Sequence, residues 1–111
     1  MADCVFCKIV AGELPATVVY DDAEVLAFAD LAPKAPTHVL VIPKRHFTDI
    51  AELGTDPTAA GAVIAGISAV ASSLGVQSYR TVFNTGADAG QTVFHVHAHL
   101  LAGRSLGWPP G

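Results

Sequence analysis

Apolar and polar positions alternate most strictly in His95-Val96-His97-Ala98-His99-Leu100-Leu101, where a histidine stands at every second position. Successive side chains of a β-strand point to opposite faces. This period of two predicts a last strand over Val93–Leu101, with His95, His97 and His99 on one face about 7 Å apart. Val96, Ala98 and Leu100 then turn into a core. Earlier in the chain, Cys4–Val10 reads as a short amphipathic turn or helix closed by Gly12 and Pro15. Thr17–Tyr20 and Val25–Ala29 read as two strands of a hairpin joined by Asp21-Asp22, and Leu31–Pro36 as a loop. His38–Ile42 is a buried strand stopped by Pro43. Thr55-Asp56-Pro57 is a helix start, and Val63, Ile67, Val70, Ala71 and Leu74 recur at helical spacing before a glycine stop at Gly75. Gly61 and Gly66 weaken that helix or let it pack closely on a sheet. Tyr79–Phe83 is a strand and Asn84–Gln91 a polar loop. The sum is an α+β fold: an antiparallel sheet of about five strands, one long helix and a short N-terminal helix. A parallel βαβ crossover through the long helix stays open.

At 111 residues the chain is expected to form one domain, residues 1–111. With 51% hydrophobic residues it can bury a core. No apolar stretch approaches bilayer-spanning length, so no membrane partner is expected. The start Met1-Ala2-Asp3-Cys4 lacks the basic and apolar regions of a signal peptide. A cytoplasmic protein with reduced thiols follows as the expectation. The net charge of −4 argues against a general nucleic-acid binder, yet glycine loops and imidazoles can still build a local phosphate pocket.

The histidine row has three readings. It is a solvated or hydrogen-bonded face, a zinc site held by three strand histidines, or a nucleophilic histidine flanked by phosphate- or metal-binding partners. Cys4-Val5-Phe6-Cys7 is a redox pair, a pair of buried thiols, or half of a structural Cys₂His₂ zinc site. Trp108, on the extended tail Trp108-Pro109-Pro110-Gly111, either packs on its own domain or meets a partner surface.

The row resembles the signature of the histidine triad (HIT) family, His-φ-His-φ-His-φ-φ with φ apolar, at every position. Asp30, Ala35-Pro36-Thr37-His38, Val41-Ile42-Pro43-Lys44-Arg45-His46, Asn84, Gly90-Gln91 and Trp108-Pro109-Pro110-Gly111 extend the likeness to the HINT branch over nearly the whole chain. The resemblance implies a five-stranded antiparallel sheet continued across a homodimer. It implies cleavage of purine nucleoside phosphoramidates or adenylated amines, with AMP, GMP or their phosphoramidates as ligands. His97 would be the nucleophile forming a nucleotidyl-histidine, its other nitrogen held by a backbone carbonyl. His99 would contact the phosphate oxygens and His38 would be a fourth active-site histidine. Asn84, Gly90 and Gln91 would contact the nucleotide, Asp30 the ribose hydroxyls, and Val5, Phe6, Ile9, Phe28 and Leu31 the base. Thr92 replaces the branch's usual serine, which meets the leaving group; the hydroxyl stays and a methyl is added.

The animal proteins of this branch lack the two cysteines. Some HIT proteins bind a structural zinc at the positions of Cys4, Cys7, His46 and His95, so the chain resembles the bacterial type. Magnesium is not required by the implied mechanism, and the tail with Trp108 would reach the partner subunit's active site. Two other readings are a zinc-activated-water hydrolase using the row, and a nucleotide-binding interaction protein with little turnover.

Overall fold

Two short, mainly apolar runs, Val25–Ala29 and Thr37–Pro43, are buried almost end to end and form the middle of the fold. The computed structural model describes residues 3–111. In chain order its elements are α1 (Val5–Val10), β1 (Val18–Asp21), β2 (Val25–Ala29), β3 (Thr37–Pro43), α2 (Ile50–Leu53), α3 (Pro57–Ser73), β4 (Tyr79–Val82), a 3₁₀ turn (Ala87–Ala89) and β5 (Ala98–Ala102). The five strands make one sheet in the order β1-β2-β3-β5-β4, and every neighbouring pair is antiparallel. β3 and β4 both run antiparallel to β5 and therefore parallel to each other. The helical crossover thus joins two parallel strands with β5 inserted between them, so no two hydrogen-bonded strands are parallel.

Alternation along the strands sorts the core into two layers. Val25, Ala27, Val39, Val41, Val96, Ala98, Leu100 and Ala102 meet Val63, Ile67, Val70 and Ala71 of α3 on one face. Leu26, Phe28, Leu40 and Ile42 meet Phe6 of α1 on the other. Asp56 caps α3 by accepting from Ala59 N–H at 3.0 Å, with Pro57 in the first helical position, as the sequence predicts. Gly66 lets α3 sit against the sheet: a Cβ there would lie 2.6 Å from Val25 Cγ2. Gly61 meets nothing within 4 Å, so only Gly66 serves close packing. No helix among the described residues is long and apolar enough to cross a membrane.

The expected strand over Val93–Leu101 is shorter than its pattern. It begins at Ala98, and β3 supplies the reason. Val41 pairs with Ala98, and the next ladder step would fall on Pro43, which has no N–H to give. Val96 N–H instead donates to Phe47 O at 2.7 Å, and His95 Nε2 donates to Pro43 O at 2.8 Å. The chain bends at Val93–His95, yet the facing of its side chains still alternates outside the ladder. Val96 remains in the α3-side core, while His95 and His97 both meet the Phe6 ring on the other side.

Candidate functional site

His97 Nδ1 lies 2.9 Å from the backbone carbonyl of His95. A carbonyl can only accept, so Nδ1 carries a proton, and the tautomer this selects for the neutral ring has its lone pair on Nε2. The ring is 8% exposed and is steadied by the edge of Phe6 at 5.2 Å and by His99 at 5.1 Å between centroids. Among the described residues no other hydrogen bond occupies the ring, so Nε2 is free to act as the nucleophilic atom that such catalysis requires.

A second chain of hydrogen bonds sets His99 in the opposite sense. Lys34 N–H donates to His38 Nδ1 at 3.0 Å, so the His38 proton sits on Nε2. That proton points to His99 Nδ1, 2.9 Å away, and His99 therefore presents an Nε2–H donor. Burial first, and then the neighbouring His97 and His38, push the His99 pKa down, against the opposing pull of Asp30. Asp30 Oδ2 is 3.5 Å from His38 Nε2, and Asp30 Oδ1 accepts from Ala32 N–H at 2.8 Å. Asp30, His38 and His99 are close enough to surround a cation. The Lys34 amide argues against one, because it keeps the proton on the His38 nitrogen that would have to bind it.

His97 and His99 line a cleft of about 270 Å³. Val5, Phe6, Ile9, Phe28 and Leu31 all line it, together with Asp30 and Thr92. Leu40 and the segment 15–17 also line it and were not among the expected residues. Leu40 was legible, since a period of two places it on the face of His38; Pro15–Thr17 carry no such signal. Thr92 and His99 also border a second cleft of about 650 Å³ with His38, Asn84, Lys34 and Pro110. Pro110 belongs to the C-terminal tail of the same chain, whose Trp108 is 82% exposed.

Gln91 lies apart from both clefts' linings. It is 2% exposed; its Oε1 accepts from Gly86 N–H at 2.9 Å, and its Nε2 donates to Thr48 O at 2.8 Å and Val93 O at 3.1 Å. Its side chain ties the Asn84–Thr92 loop to the segment before α2. Gly90 holds that loop at φ +98°, a left-handed conformation that favours glycine, with the Asn84 amide beside it.

The row does not converge on a single metal, because its three rings use their nitrogens in different directions. His95, fully buried, faces the cysteines instead. Its Nδ1 is 3.4 Å from Cys4 Sγ and 3.5 Å from Cys7 Sγ, and His46 Nδ1 is 3.4 Å from Cys7 Sγ. The four ligand atoms lie within 4.8 Å of one another. Zinc bonds of about 2.3 Å to sulfur and 2.0–2.1 Å to nitrogen at a tetrahedral angle put such atoms about 3.5 Å apart, so the donor set fits a zinc ion. The Pro43 carbonyl on His95 Nε2 leaves Nδ1 bare toward the sulfurs, the outer contact that orients a metal-bound histidine. Cys4 also caps α1, its Sγ accepting from Cys7 N–H at 3.3 Å. Burial and the adjacent Cys4 push the Cys7 thiol up, so two thiolates here call for a neutralising cation.

The HIT domain family model matches residues 11–106. A HIT-like protein of Synechococcus elongatus is 49% identical over 98% of this chain and 97% of its own length. A 14 kDa zinc-binding protein of Zea mays is 43% identical over 96% of this chain and 87% of its own. The crystal structure of a HIT family hydrolase from Legionella pneumophila superposes with a TM-score of 0.93 at 45% identity, covering 98% of this chain and all of that one. Signature, sheet and relatives agree: this chain belongs to the HIT family.

Proposed function

We propose that the protein is a nucleotide-binding hydrolase that cleaves purine nucleoside phosphoramidates or adenylated amines through a nucleotidyl-histidine on His97. The observation that carries this reading is the 2.9 Å contact of His97 Nδ1 with the His95 carbonyl, which leaves Nε2 free as the nucleophile in an apolar cleft. The base lies among Val5, Phe6, Ile9, Phe28 and Leu31, the ribose hydroxyls donate to Asp30, and Asn84 and Gly90 border the phosphate. Gln91 acts on the nucleotide by holding their loop.

The His97 Nε2 lone pair forms a bond to the α-phosphorus. The bond to the leaving nitrogen breaks with its electron pair, and that nitrogen takes up a proton from solvent beside the Thr92 hydroxyl. His99 Nε2–H donates to a non-bridging oxygen, and donors aimed at developing charge in a dry site lower the barrier by several kcal/mol, roughly 3 for a single donor. Water then attacks the phosphorus and loses one proton to solvent, the N–P bond returns its pair to Nε2, and the nucleoside monophosphate leaves. His38 positions His99. No magnesium is required.

Cys4, Cys7, His46 and His95 hold a structural zinc ion, which in a closed four-ligand site contributes folding stability and not an activated water. It fixes the His95 backbone whose carbonyl orients His97. The working form is a cytoplasmic homodimer with a continuous sheet, and Trp108 reaches the partner's cleft. The test is turnover of a panel of adenylated amines and dinucleoside polyphosphates by the wild type and His97→Ala. The reading expects hydrolysis of the amines and its collapse in the variant; equal rates would remove His97 from the chemistry.

A further inference from the structure

The nucleotide reading leaves one charge pattern without a role. The chain carries six lysines and arginines against ten acids. Lys44 and Arg45 are paired with Asp21 and Asp56. Four cations have no carboxylate partner among the described residues; Lys8 stands apart on α1, whereas Lys34, Arg80 and Arg104 lie along one wall. Lys34 lines the second cleft beside Thr92 and His99. Arg104 donates to the Lys34 carbonyl from Nε at 3.2 Å and from Nη2 at 2.8 Å. Arg80 and Arg104 then line an adjoining cleft of about 360 Å³ with Ser78 and Ser105. Carbonyls satisfy a guanidinium's donors without neutralising its charge. Arg80 pairs with Leu101 of β5, which pairs with His38 on its other side, so all three share the face that carries His99. Asp30 is the one acid among the residues lining these two clefts, and Ala32 N–H already donates to its Oδ1.

The direction of displacement connects this wall to the chemistry. His97 lines the apolar cleft and not the second one, whereas Thr92 and His99 line both. At a phosphorus held between Thr92 and His99, in-line displacement expels the leaving group on the side away from His97. That side is the second cleft. We propose that the leaving group enters it and that Lys34, Arg80 and Arg104 form a subsite for an oxyanion on that group, a carboxylate or a phosphate. The inference rests on nucleotidyl transfer at His97 and names the class of substrate: amines or phosphates whose departing half is anionic. In a chain of net charge −4, three clustered cations also raise the local concentration of such substrates.

Two measurements on the full chain test this. The first compares kcat/KM for the adenosine 5′-phosphoramidates of β-alanine and of β-alaninamide, which differ in one carboxylate. The second compares binding of AMP and ADP, which differ in one phosphate. The wild type should favour the anionic member of at least one pair, and the pair identifies the anion as carboxylate or phosphate. Lys34→Gln and Arg80→Gln should each reduce that ratio roughly two- to fivefold, the worth of a half-exposed ion pair, and Arg80→Lys should restore most of it. Ratios near one in the wild type, a preference for the amide, or variants that lower both members equally would overturn the subsite. If AMP itself fails to bind, the nucleotide reading falls and the subsite with it; if AMP binds and ADP binds no tighter while the carboxylate pair is equal, the subsite alone falls.

Discussion

Replacing Gln91 with alanine separates a loop clamp from a ligand contact. The wild-type side chain is 2% exposed and makes three hydrogen bonds, to Gly86 N–H, Thr48 O and Val93 O. Each such bond contributes about 1 kcal/mol net, and the lost buried methylene about 0.8 kcal/mol. Gly86, Thr48 and Val93 are only partly buried, so water recovers part of the loss, leaving about 2–3 kcal/mol of destabilisation. Urea denaturation should show a lower midpoint at unchanged slope, and hydrogen exchange should show faster exchange at the Gly86 amide. Turnover should fall with stability, because Thr92 follows the clamp directly. A variant that loses nucleotide affinity while keeping its midpoint and its Gly86 protection would refute the clamp and make Gln91 a direct contact.

Chelation of the purified protein should release zinc and lower stability by about 2 kcal/mol or more, a fall of roughly 10 °C in Tm for a domain of this size; an unchanged Tm after complete metal removal contradicts a structural site. Gly66→Ala places a methyl 2.6 Å from Val25 Cγ2, and overpacking of about 1–3 kcal/mol outweighs a helix-propensity gain of about 1 kcal/mol. Adding Val25→Ala should show coupling that relieves the clash in a double-mutant cycle, and purely additive effects would count against close packing. His99 is half-buried against His38 and His97 with Asp30 opposing, and its pKa is lowered, first by desolvation. Below about pH 6.5 the unfolded chain then binds more protons than the folded one, so stability should fall as pH drops from there toward the folded pKa and be flat above. His99→Gln should flatten part of that slope, as read from denaturation midpoints; an unaltered slope would assign the effect elsewhere.

Much of this was legible where local chemistry and tertiary packing agree. Val25–Ala29 is both an unbroken apolar run and an interior strand, and Asp56-Pro57 starts α3 in sequence and in structure. The α2 turn was missed although Asp49 and Glu52 carry capping signals: Glu52 N–H donates to Asp49 Oδ1 at 2.9 Å, and Glu52 Oε1 accepts from Thr48 N–H at 2.7 Å. Four residues are too few to show a helical period. The last strand was drawn too long because alternation reports which way side chains face, not whether a neighbouring strand supplies partners. Pro43 ends the ladder while His95 and His97 keep their faces. Family likeness named His99 and Gln91, but the reasons for their roles are tertiary. Those reasons are the Lys34 amide sixty-five residues before His99 and the Thr48 carbonyl forty-three before Gln91. No local pattern encodes either contact.

The central claim is that the imidazole of His97 becomes covalently attached to phosphorus during turnover. Alkaline denaturing quench during hydrolysis of an adenylated amine, followed by peptide mass spectrometry, tests it directly, since histidine–phosphorus bonds survive base better than acid. The account predicts an adenylyl group on the peptide containing His97, absent from His97→Ala. Turnover at full rate with that peptide unmodified at every quench time would contradict it.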